Sequence, residues 1–152
     1  MDKKILKLIV KVSKKENLPI FLVGGFVRDF LMGHVQKKDL DFVVVGSGLE
    51  FAKKFDEAFE RQGSLVEFPD FDTARYIIGE EEKQVVLEFA GARTEKYEIQ
   101  SRKPKVEPTN LEGDLQRRDF TVNAMAVPVE VFTGLRLPTK KTLKKNLFDP
   151  FN

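Results

Sequence analysis

The amino-acid sequence predicts a single α/β domain built on a mixed sheet with helices packed against it. Segments with helical spacing of apolar residues alternate with short apolar runs in the order α-β-α-β-α-β-β-β-α, which combines crossover connections with meander strands. The chain has 152 residues, which is the size of one domain. It contains no cysteine, so disulfides, iron–sulfur clusters, thiolate zinc sites and cysteine nucleophiles are all excluded.

The first sixty or so residues alternate between helix and strand. Apolar residues at helical spacing predict one helix that ends at Asn17, a second that follows the Gly24–Gly25 pair, and a third that Ser47 caps. The apolar runs between these helices predict two buried strands, Ile20–Val23 and Leu40–Val45. We expect the phenylalanines of the third helix to lie in the core; they are Phe51, Phe55 and Phe59.

Strands dominate the middle of the chain. Three β-like segments are expected around Ser64–Glu67, Thr73–Ile78 and Gln84–Phe89, with a polar turn at Glu80–Lys83. The pattern becomes helical again from Leu111 to about Ala126, broken by the step Asp119-Phe120-Thr121.

The C-terminal segment predicts an extension of the domain. We expect a domain over residues 1–127 and a β-like extension over 128–152. Lysines cluster at 140–145, where a solvated charge run is expected, although the same side chains could contact phosphates.

Charge and histidine content restrict the chemistry. The chain has 26 Lys+Arg against 24 Asp+Glu, a net charge of +2, so no global basic field indicates nucleic-acid binding. The single histidine, His34, argues against a histidine metal cage or a histidine-dependent triad, and we expect it on the surface.

Apolar runs are too short to cross a membrane and the N-terminus does not resemble a signal peptide, so we expect a cytoplasmic protein without a membrane partner.

A glycine pair between strand and helix is the first candidate site. Backbone N–H groups of Gly24 and Gly25 can approach an anion closely at the positive end of the helix dipole. Arg28 follows one turn later, where its guanidinium can reach the same phosphate. An ordinary strand-to-helix turn with a surface arginine explains the same residues.

Two aspartates at the start of a strand form the second candidate site. Asp39 and Asp41 are two residues apart, so their carboxylates point to the same face of the strand. Oxygen ligands without nearby His or Cys suit Mg²⁺, which takes one or two carboxylates together with substrate phosphates. Solvated turn aspartates are the alternative.

An arginine pair is the third candidate site. Arg117 and Arg118 suit a triphosphate, whereas Asp119 and Asn123 can bind ribose hydroxyls or orient the arginines. A charged helix face with local ion pairs is the alternative for this segment. The same predicted helical stretch bears the apolar residues Phe120, Val122, Met125 and Val127.

Together these sites indicate phosphoryl transfer, and the sequence from about Ile20 to Ala126 resembles a known family. The resemblance is to the head domain of class II tRNA nucleotidyltransferases (CCA-adding enzymes) and bacterial poly(A) polymerases. Four motifs carry it, in the family's order and spacing: Gly24-Gly25-x-Val27-Arg28-Asp29, Asp39-x-Asp41, Ala92-Arg93-Thr94-Glu95-x-Tyr97, and Arg117-Arg118-Asp119-Phe120-Thr121-x-Asn123.

The resemblance implies a polymerase-beta-like nucleotidyltransferase fold with a mostly antiparallel mixed sheet. It implies that Asp39 and Asp41 hold catalytic Mg²⁺, with Glu88 as candidate third carboxylate. It also implies that the nucleotide is bound by Gly24, Gly25, Arg28, Arg117, Arg118, Asp119 and Asn123.

The resemblance also bears on three further side chains. Arg93 and Glu95 are expected to form an ion pair that braces a strand end. Arg75 could belong to the mobile loop region near the incoming nucleotide.

The implied activity is two-metal transfer of C and/or A from CTP or ATP to the 3′ end of tRNA. Poly(A) addition uses the same head residues, so the sequence leaves it open; a non-catalytic nucleotide- or RNA-binding module is the third hypothesis. The family's base-choosing motif has no match in these 152 residues, and we expect the chain to be the head of a longer protein. The sequence predicts no oligomeric state.

Overall fold

A six-stranded sheet forms the centre of the domain in a computed structural model that describes residues 2–34, 39–96 and 105–151. The helices are α1 (Lys3–Glu16), α2 (Gly25–Met32), α3 (Gly48–Ala58), α4 (Leu111–Gln116) and α5 (Lys140–Lys145). The strands are β1 (Ile20–Val23), β2 (Asp39–Val44), β3 (Ser64–Phe68), β4 (Thr73–Ile78), β5 (Val85–Gly91), β6 (Arg93–Lys96), β7 (Lys105–Pro108) and β8 (Ala126–Pro128).

The sheet has the strand order β3-β4-β5-β2-β1-β8, and β6 with β7 forms a separate antiparallel hairpin. Within the described residues, β2 and β5 pair in parallel whereas the other strand pairs of the large sheet are antiparallel. The predicted mixed, mostly antiparallel sheet with packed helices is therefore confirmed.

Side-chain caps explain where several helices begin. Asp2 accepts a hydrogen bond from the Lys4 N–H at the start of α1, and Ser47 caps α3 as the sequence predicts. Helix α1 ends at Asn17, which adopts the left-handed conformation at φ 54°. Over the described ranges, no helix combines the length and apolar character needed to span a membrane.

Each face of the sheet carries its own hydrophobic cluster. The larger cluster lies between the sheet and helices α1–α3, and its aromatic centre is formed by Phe42, Phe51, Phe55 and Phe89. The smaller cluster packs Leu111 and Leu115 of α4 against Val23 and Val43 of the sheet. Because side chains alternate along a strand, Val43 shares its face with Asp39 and Asp41. The smaller cluster therefore covers part of the face that carries the aspartates.

Two secondary-structure predictions are wrong in the C-terminal half. The helix predicted from Leu111 to about Ala126, with a break at Asp119-Phe120-Thr121, ends before that break at Gln116. It does not resume after the break, because the chain continues as a 3₁₀ turn at Thr121–Asn123 and then as β8. The segment after Pro128 is helical rather than β-like, with a 3₁₀ turn at Val129–Phe132 followed by α5.

The helical segment after Pro128 packs into the main core. Val129, Phe132 and Leu143 are fully buried in the larger cluster, while the α5 lysines are exposed. The proposed boundary between residues 127 and 128 stays a prediction. The β6–β7 hairpin was not anticipated, because its strands are short and polar.

Tyr76 ties β4 to α3. Its side chain is fully buried and its hydroxyl donates a 2.7 Å hydrogen bond to Asp56 Oδ1. Burial, together with this hydrogen bond and the negative charge of Asp56, raises the pKa of the Tyr76 phenol well above its ordinary value.

We predict that Tyr76 stays protonated while an ordinary tyrosine ionises near pH 10. The Tyr97→Phe substitution leaves Tyr76 as the remaining tyrosine of the two in the chain, so absorbance at 295 nm reports it alone. The absorbance should stay flat through about pH 11 while circular dichroism shows a folded protein. A midpoint near 10 in the folded state would contradict this assignment.

The free energy of unfolding should fall over the same pH range. The unfolded chain releases the phenolic proton near pH 10 whereas the folded chain retains it, so the unfolded state gains stability as the pH rises. Tyr76→Phe serves as the control, because removing the hydroxyl should flatten this part of the pH dependence in urea denaturation.

Candidate active site

A row of charged side chains crosses three adjacent strands on one face of the sheet. Arg75 on β4 lies opposite Glu88 on β5, and Glu88 lies beside Asp41 on β2. Asp39 lies two residues before Asp41 in β2 and on the same face. Both aspartates are exposed, whereas Leu40 and Phe42, which alternate with them, are buried. The strand is therefore anchored by one face and presents its carboxylates on the other.

Glu88 occupies the register position expected of a third carboxylate. The parallel pairing of β2 with β5 aligns Asp41 with Glu88, so their side chains project from the same face. Glu88 Oε2 accepts a 2.7 Å hydrogen bond from Arg75 Nε. This hydrogen bond and the charge of Glu88, assisted by Asp41 and Asp39, raise the pKa of the Arg75 guanidinium.

Arg75 therefore lies on a strand and not in a loop. The suggestion that it belongs to a mobile loop region is wrong, because Arg75 is a paired residue of β4 between Val66 on β3 and Glu88 on β5. Its side chain belongs to the carboxylate face.

The chemistry of this face fits a hard divalent cation. Asp39 and Asp41 supply carboxylate oxygens on one face, which suits Mg²⁺ when substrate phosphates complete its coordination. No group of three or more His, Cys, Asp or Glu side chains placed to hold a metal ion was found in the described residues. Among the residues that the structure describes, this face thus offers a pair of carboxylate ligands rather than a closed cage.

The glycine pair brings a second set of predicted residues together beside β1. Gly24 has φ 68°, a conformation that favours glycine, and it separates β1 from α2, which begins at Gly25. A Cβ at Gly24 would lie 3.8 Å from both Arg118 Nη1 and the Asn123 carbonyl oxygen. The glycine turn, Arg118 and Asn123 are therefore neighbours although about a hundred residues separate them in sequence.

Arg28 completes this cluster through two side-chain contacts. Its Nη1 donates a 2.8 Å hydrogen bond to Asn123 Oδ1, and its Nε donates a 2.7 Å hydrogen bond to Asp29. We call Gly24, Gly25, Arg28, Arg118 and Asn123 the glycine–arginine cluster.

The remaining predicted nucleotide-binding residues lie differently. Arg117 Nε donates to the Arg93 carbonyl oxygen at 2.7 Å, so Arg117 braces β6. Asp119 is exposed and accepts a hydrogen bond from the Phe120 N–H. Phe120 and Val122, two apolar residues of the segment predicted to be helical, are 62% and 49% exposed.

Asp114 is the functional candidate that the sequence analysis did not single out. Its side chain is fully buried, and Oδ1 accepts a 2.7 Å hydrogen bond from Arg117 while Oδ2 accepts bonds of 2.9 and 3.2 Å from Arg118. The Arg93 N–H also donates to Oδ1 at 3.3 Å. The spacing of three and four residues from Asp114 to the arginines is the signal that could have found it.

Arg93 contacts the segment that leads into β4. Its guanidinium donates to the Phe71 carbonyl oxygen and to Thr73 Oγ1, and lies 5.6 Å from the Phe71 ring centroid. The Glu95 side chain and Tyr97 lie outside the described residues, so their predicted places are untested. His34 is exposed, as expected.

We predict that Asp114→Ala lowers the free energy of unfolding by about 3 kcal/mol, because it leaves two half-buried arginines without their buried carboxylate. Urea denaturation followed by circular dichroism measures the change. Asp119→Ala is the matched control and should stay within about 0.5 kcal/mol of the unsubstituted chain. Equal stabilities of the two variants would show that Asp114 does not hold the arginines.

Comparison with known proteins gives consistent matches. The sequence model of the protein family described as the poly A polymerase head domain matches residues 20–151. The A-adding tRNA nucleotidyltransferase of Aquifex aeolicus is 48% identical over 115 residues, which are 75% of this chain and 13% of that protein. The CCA-adding enzyme of Marinobacter nauticus is 36% identical over 143 residues, with 87% of this chain and 29% of that enzyme covered.

Solved structures match over nearly the whole chain. A tRNA nucleotidyltransferase complexed with a primer tRNA and an incoming ATP analog aligns with a TM-score of 0.65 at 35% identity, covering 95% of this chain and 34% of that one. A CCA-adding enzyme in apo form II aligns with a TM-score of 0.70 at 34% identity, covering 99% and 32%. The chain thus spans about a third of these structures and 13% of the A. aeolicus relative.

Proposed function

Because the chain belongs to the poly(A) polymerase head-domain family, we propose that it is the catalytic head of a template-independent RNA nucleotidyltransferase. Its substrates are ATP and/or CTP and the 3′ end of tRNA. The family membership confirms the resemblance noted in the sequence. One observation of the structure carries the proposal: the carboxylate pair on β2 lies next to the glycine–arginine cluster at the end of β1, its antiparallel neighbour.

Asp39 and Asp41 would hold Mg²⁺ in this proposal. When bound, Mg²⁺ neutralises phosphate charge and makes the RNA 3′-hydroxyl a better nucleophile toward the α-phosphorus. The residues of the chain position the reactants and neutralise charge, and no covalent intermediate with the protein is required.

The glycine–arginine cluster would bind the triphosphate. The first N–H groups of α2, from Gly25 onward, lack acceptors within the helix, and the helix dipole favours negative charge there. The Gly24 N–H instead donates to the Met125 carbonyl oxygen at 3.1 Å, so Gly24 would contribute close approach rather than a donor. Arg28 and Arg118 flank this position, and their guanidinium groups match phosphate oxygens in geometry as well as charge.

Asn123 and Asp119 would contact the ribose. The Oδ1 of Asn123 accepts from Arg28, which leaves its amide N–H groups as donors for a ribose hydroxyl. The exposed carboxylate of Asp119 can accept a hydrogen bond from such a hydroxyl. Arg117 would act indirectly, by bracing β6 beside the site.

Addition of A alone is the more specific candidate. The relatives from Aquifex aeolicus, Geobacter sulfurreducens and Halalkalibacterium halodurans, at 48%, 38% and 35% identity, are all described as A-adding tRNA nucleotidyltransferases. This observation favours ATP as the nucleotide, with CCA addition and poly(A) addition as alternatives that the head residues share.

We predict that Asp39→Ala and Asp41→Ala each reduce nucleotide transfer at least a thousandfold while leaving the fold intact, because each removes a carboxylate of the proposed metal pair. The assay uses the intact natural polypeptide, tRNA ending before CCA and tRNA ending in CC, with ATP and CTP offered separately. Glu57→Ala on α3 is the control, because Glu57 is exposed on the helix layer of the opposite face.

Near-normal transfer by either aspartate variant would overturn the assignment. A non-catalytic binding module is the remaining hypothesis. Such a module would bind Mg²⁺–ATP or Mg²⁺–CTP in titration calorimetry and would extend neither tRNA in the transfer assay. Extension of tRNA ending in CC by ATP, without use of CTP, would establish A addition.

A further inference from the structure

Lysine side chains are concentrated on two helices of the domain. Helix α1 carries six lysines and helix α5 carries four, against one acidic residue, Glu16, so these two helices have a net charge of +9. Because the whole chain has a net charge of +2, all its other residues together carry −7. The positive charge is therefore distributed very unevenly over the molecule.

The lysines of α1 form one stripe on the solvent side of the helix. The apolar side of α1 is buried in the larger cluster, whereas the side chains of Lys4, Lys7, Lys11, Lys14 and Lys15 are exposed. At 3.6 residues per turn, all six lysines fall within about 120° of the helix circumference. The stripe extends about 16 Å from Lys4 to Lys15, because the helix rises 1.5 Å per residue.

The segment that leads into α5 contacts the N-terminal end of α1. Lys3 Nζ donates a 2.6 Å hydrogen bond to the carbonyl oxygen of Leu135, five residues before α5 begins. All four lysines of α5 are exposed. We call the ten lysines of α1 and α5 the lysine surface.

We propose that the lysine surface binds the sugar–phosphate backbone of the RNA substrate, at a part of the RNA other than its reacting 3′ end. The inference rests on the proposed function and adds a second RNA contact to it. Helix α1 packs on one side of the sheet, whereas Asp39 and Asp41 project from the other. The lysine surface is thus separated from the proposed active site by the sheet.

Most lysines of this surface have no anionic neighbour. Lys15 pairs with Glu16 at 3.6 Å, and no other lysine of the surface forms an ion pair within the part of the chain that the structure describes. Lysines repeat at i, i+4 from Lys3 to Lys15, where like charges repel each other. Lys3 and Lys4 also lie in the first turn, where the helix dipole disfavours positive charge. An anionic partner would relieve both effects.

A polyphosphate chain fits this surface better than a single phosphate or a lipid bilayer does. Charges that extend over about 16 Å contact several phosphates at once, and each neutralised phosphate releases counterions. A helix that lies in a membrane interface inserts its apolar side, and the apolar side of α1 is buried in the core. Because the other residues carry −7, the attraction that steers RNA to this chain must come from the lysine surface.

Salt-dependent binding tests the proposal without relying on turnover. Fluorescence anisotropy measures the Kd of the intact natural polypeptide for labelled tRNA ending in CC, without divalent metal and over a series of KCl concentrations. The triple variant Lys4→Gln, Lys7→Gln, Lys11→Gln should bind about tenfold more weakly, and its slope of log Kd against log[KCl] should fall by about two. Glutamine has nearly the helix propensity of lysine, so circular dichroism should show an intact fold.

A second triple variant is matched in net charge. Lys53→Gln, Lys54→Gln, Lys83→Gln also removes three positive charges, but from α3 and the turn between β4 and β5. Lys53 and Lys54 are paired with glutamates at 2.9 and 3.5 Å. This control should change neither the Kd for tRNA nor the salt slope.

Equal weakening by the two triple variants would overturn the proposal, because net charge alone would then explain the binding. An unchanged Kd in the α1 variant, or no binding of tRNA by the unsubstituted protein, would overturn it as well. If the α1 variant loses binding to vesicles that contain phosphatidylserine but keeps its affinity for tRNA, the surface binds membranes instead of RNA.

Steady-state kinetics separates this proposal from the proposed function. The α1 variant should raise KM for tRNA about tenfold and leave kcat and KM for ATP unchanged, because its lysines are remote from the reacting groups. If the unsubstituted protein transfers no nucleotide to any RNA, the proposed function fails, and metal-free binding still shows whether the lysine surface holds RNA.

Discussion

The parallel pairing of β2 with β5 is the constraint on which the rest of the site depends. These central strands bury Phe42 and Phe89 on one face, where their stacked rings join the aromatic core. The same register sets Asp41 beside Glu88 on the other face. A shift of one residue in either strand would exchange the faces, exposing aromatic rings and burying carboxylates. Core packing and placement of the acidic side chains are therefore fixed by one register.

The buried carboxylate of Asp114 positions the two arginines that follow α4 in the C-terminal half of the chain. Asp114 of α4 binds Arg117 and Arg118, and through them connects the hairpin strand β6 to the glycine turn after β1. Burial of a carboxylate is unfavourable unless charged donors satisfy it, and two arginines and a backbone N–H do so here. The arrangement holds Arg118 beside Gly24, in the turn that we propose binds phosphate.

Much of this organisation could be predicted from the sequence, because strong local signals determined it. Apolar runs bounded by glycine or proline defined β1, and the i, i+2 spacing placed Asp39 and Asp41 on one face of β2. The length of the helix that begins at Leu111 was overestimated, because apolar residues such as Phe120 and Val122 continue past Gln116 although they are exposed in the structure. The partners of Glu88, Asp114 and Arg75 depend on strand register and long-range packing, which no local pattern encodes.

A crystal structure of the chain with Mg²⁺ and a non-hydrolysable ATP analogue tests most directly whether the proposed residues bind metal and triphosphate. We expect a metal ion bound by Asp39 and Asp41, with the triphosphate against Gly24, Gly25, Arg28 and Arg118. A triphosphate bound elsewhere, or a metal ion bound without either aspartate, would contradict this expectation.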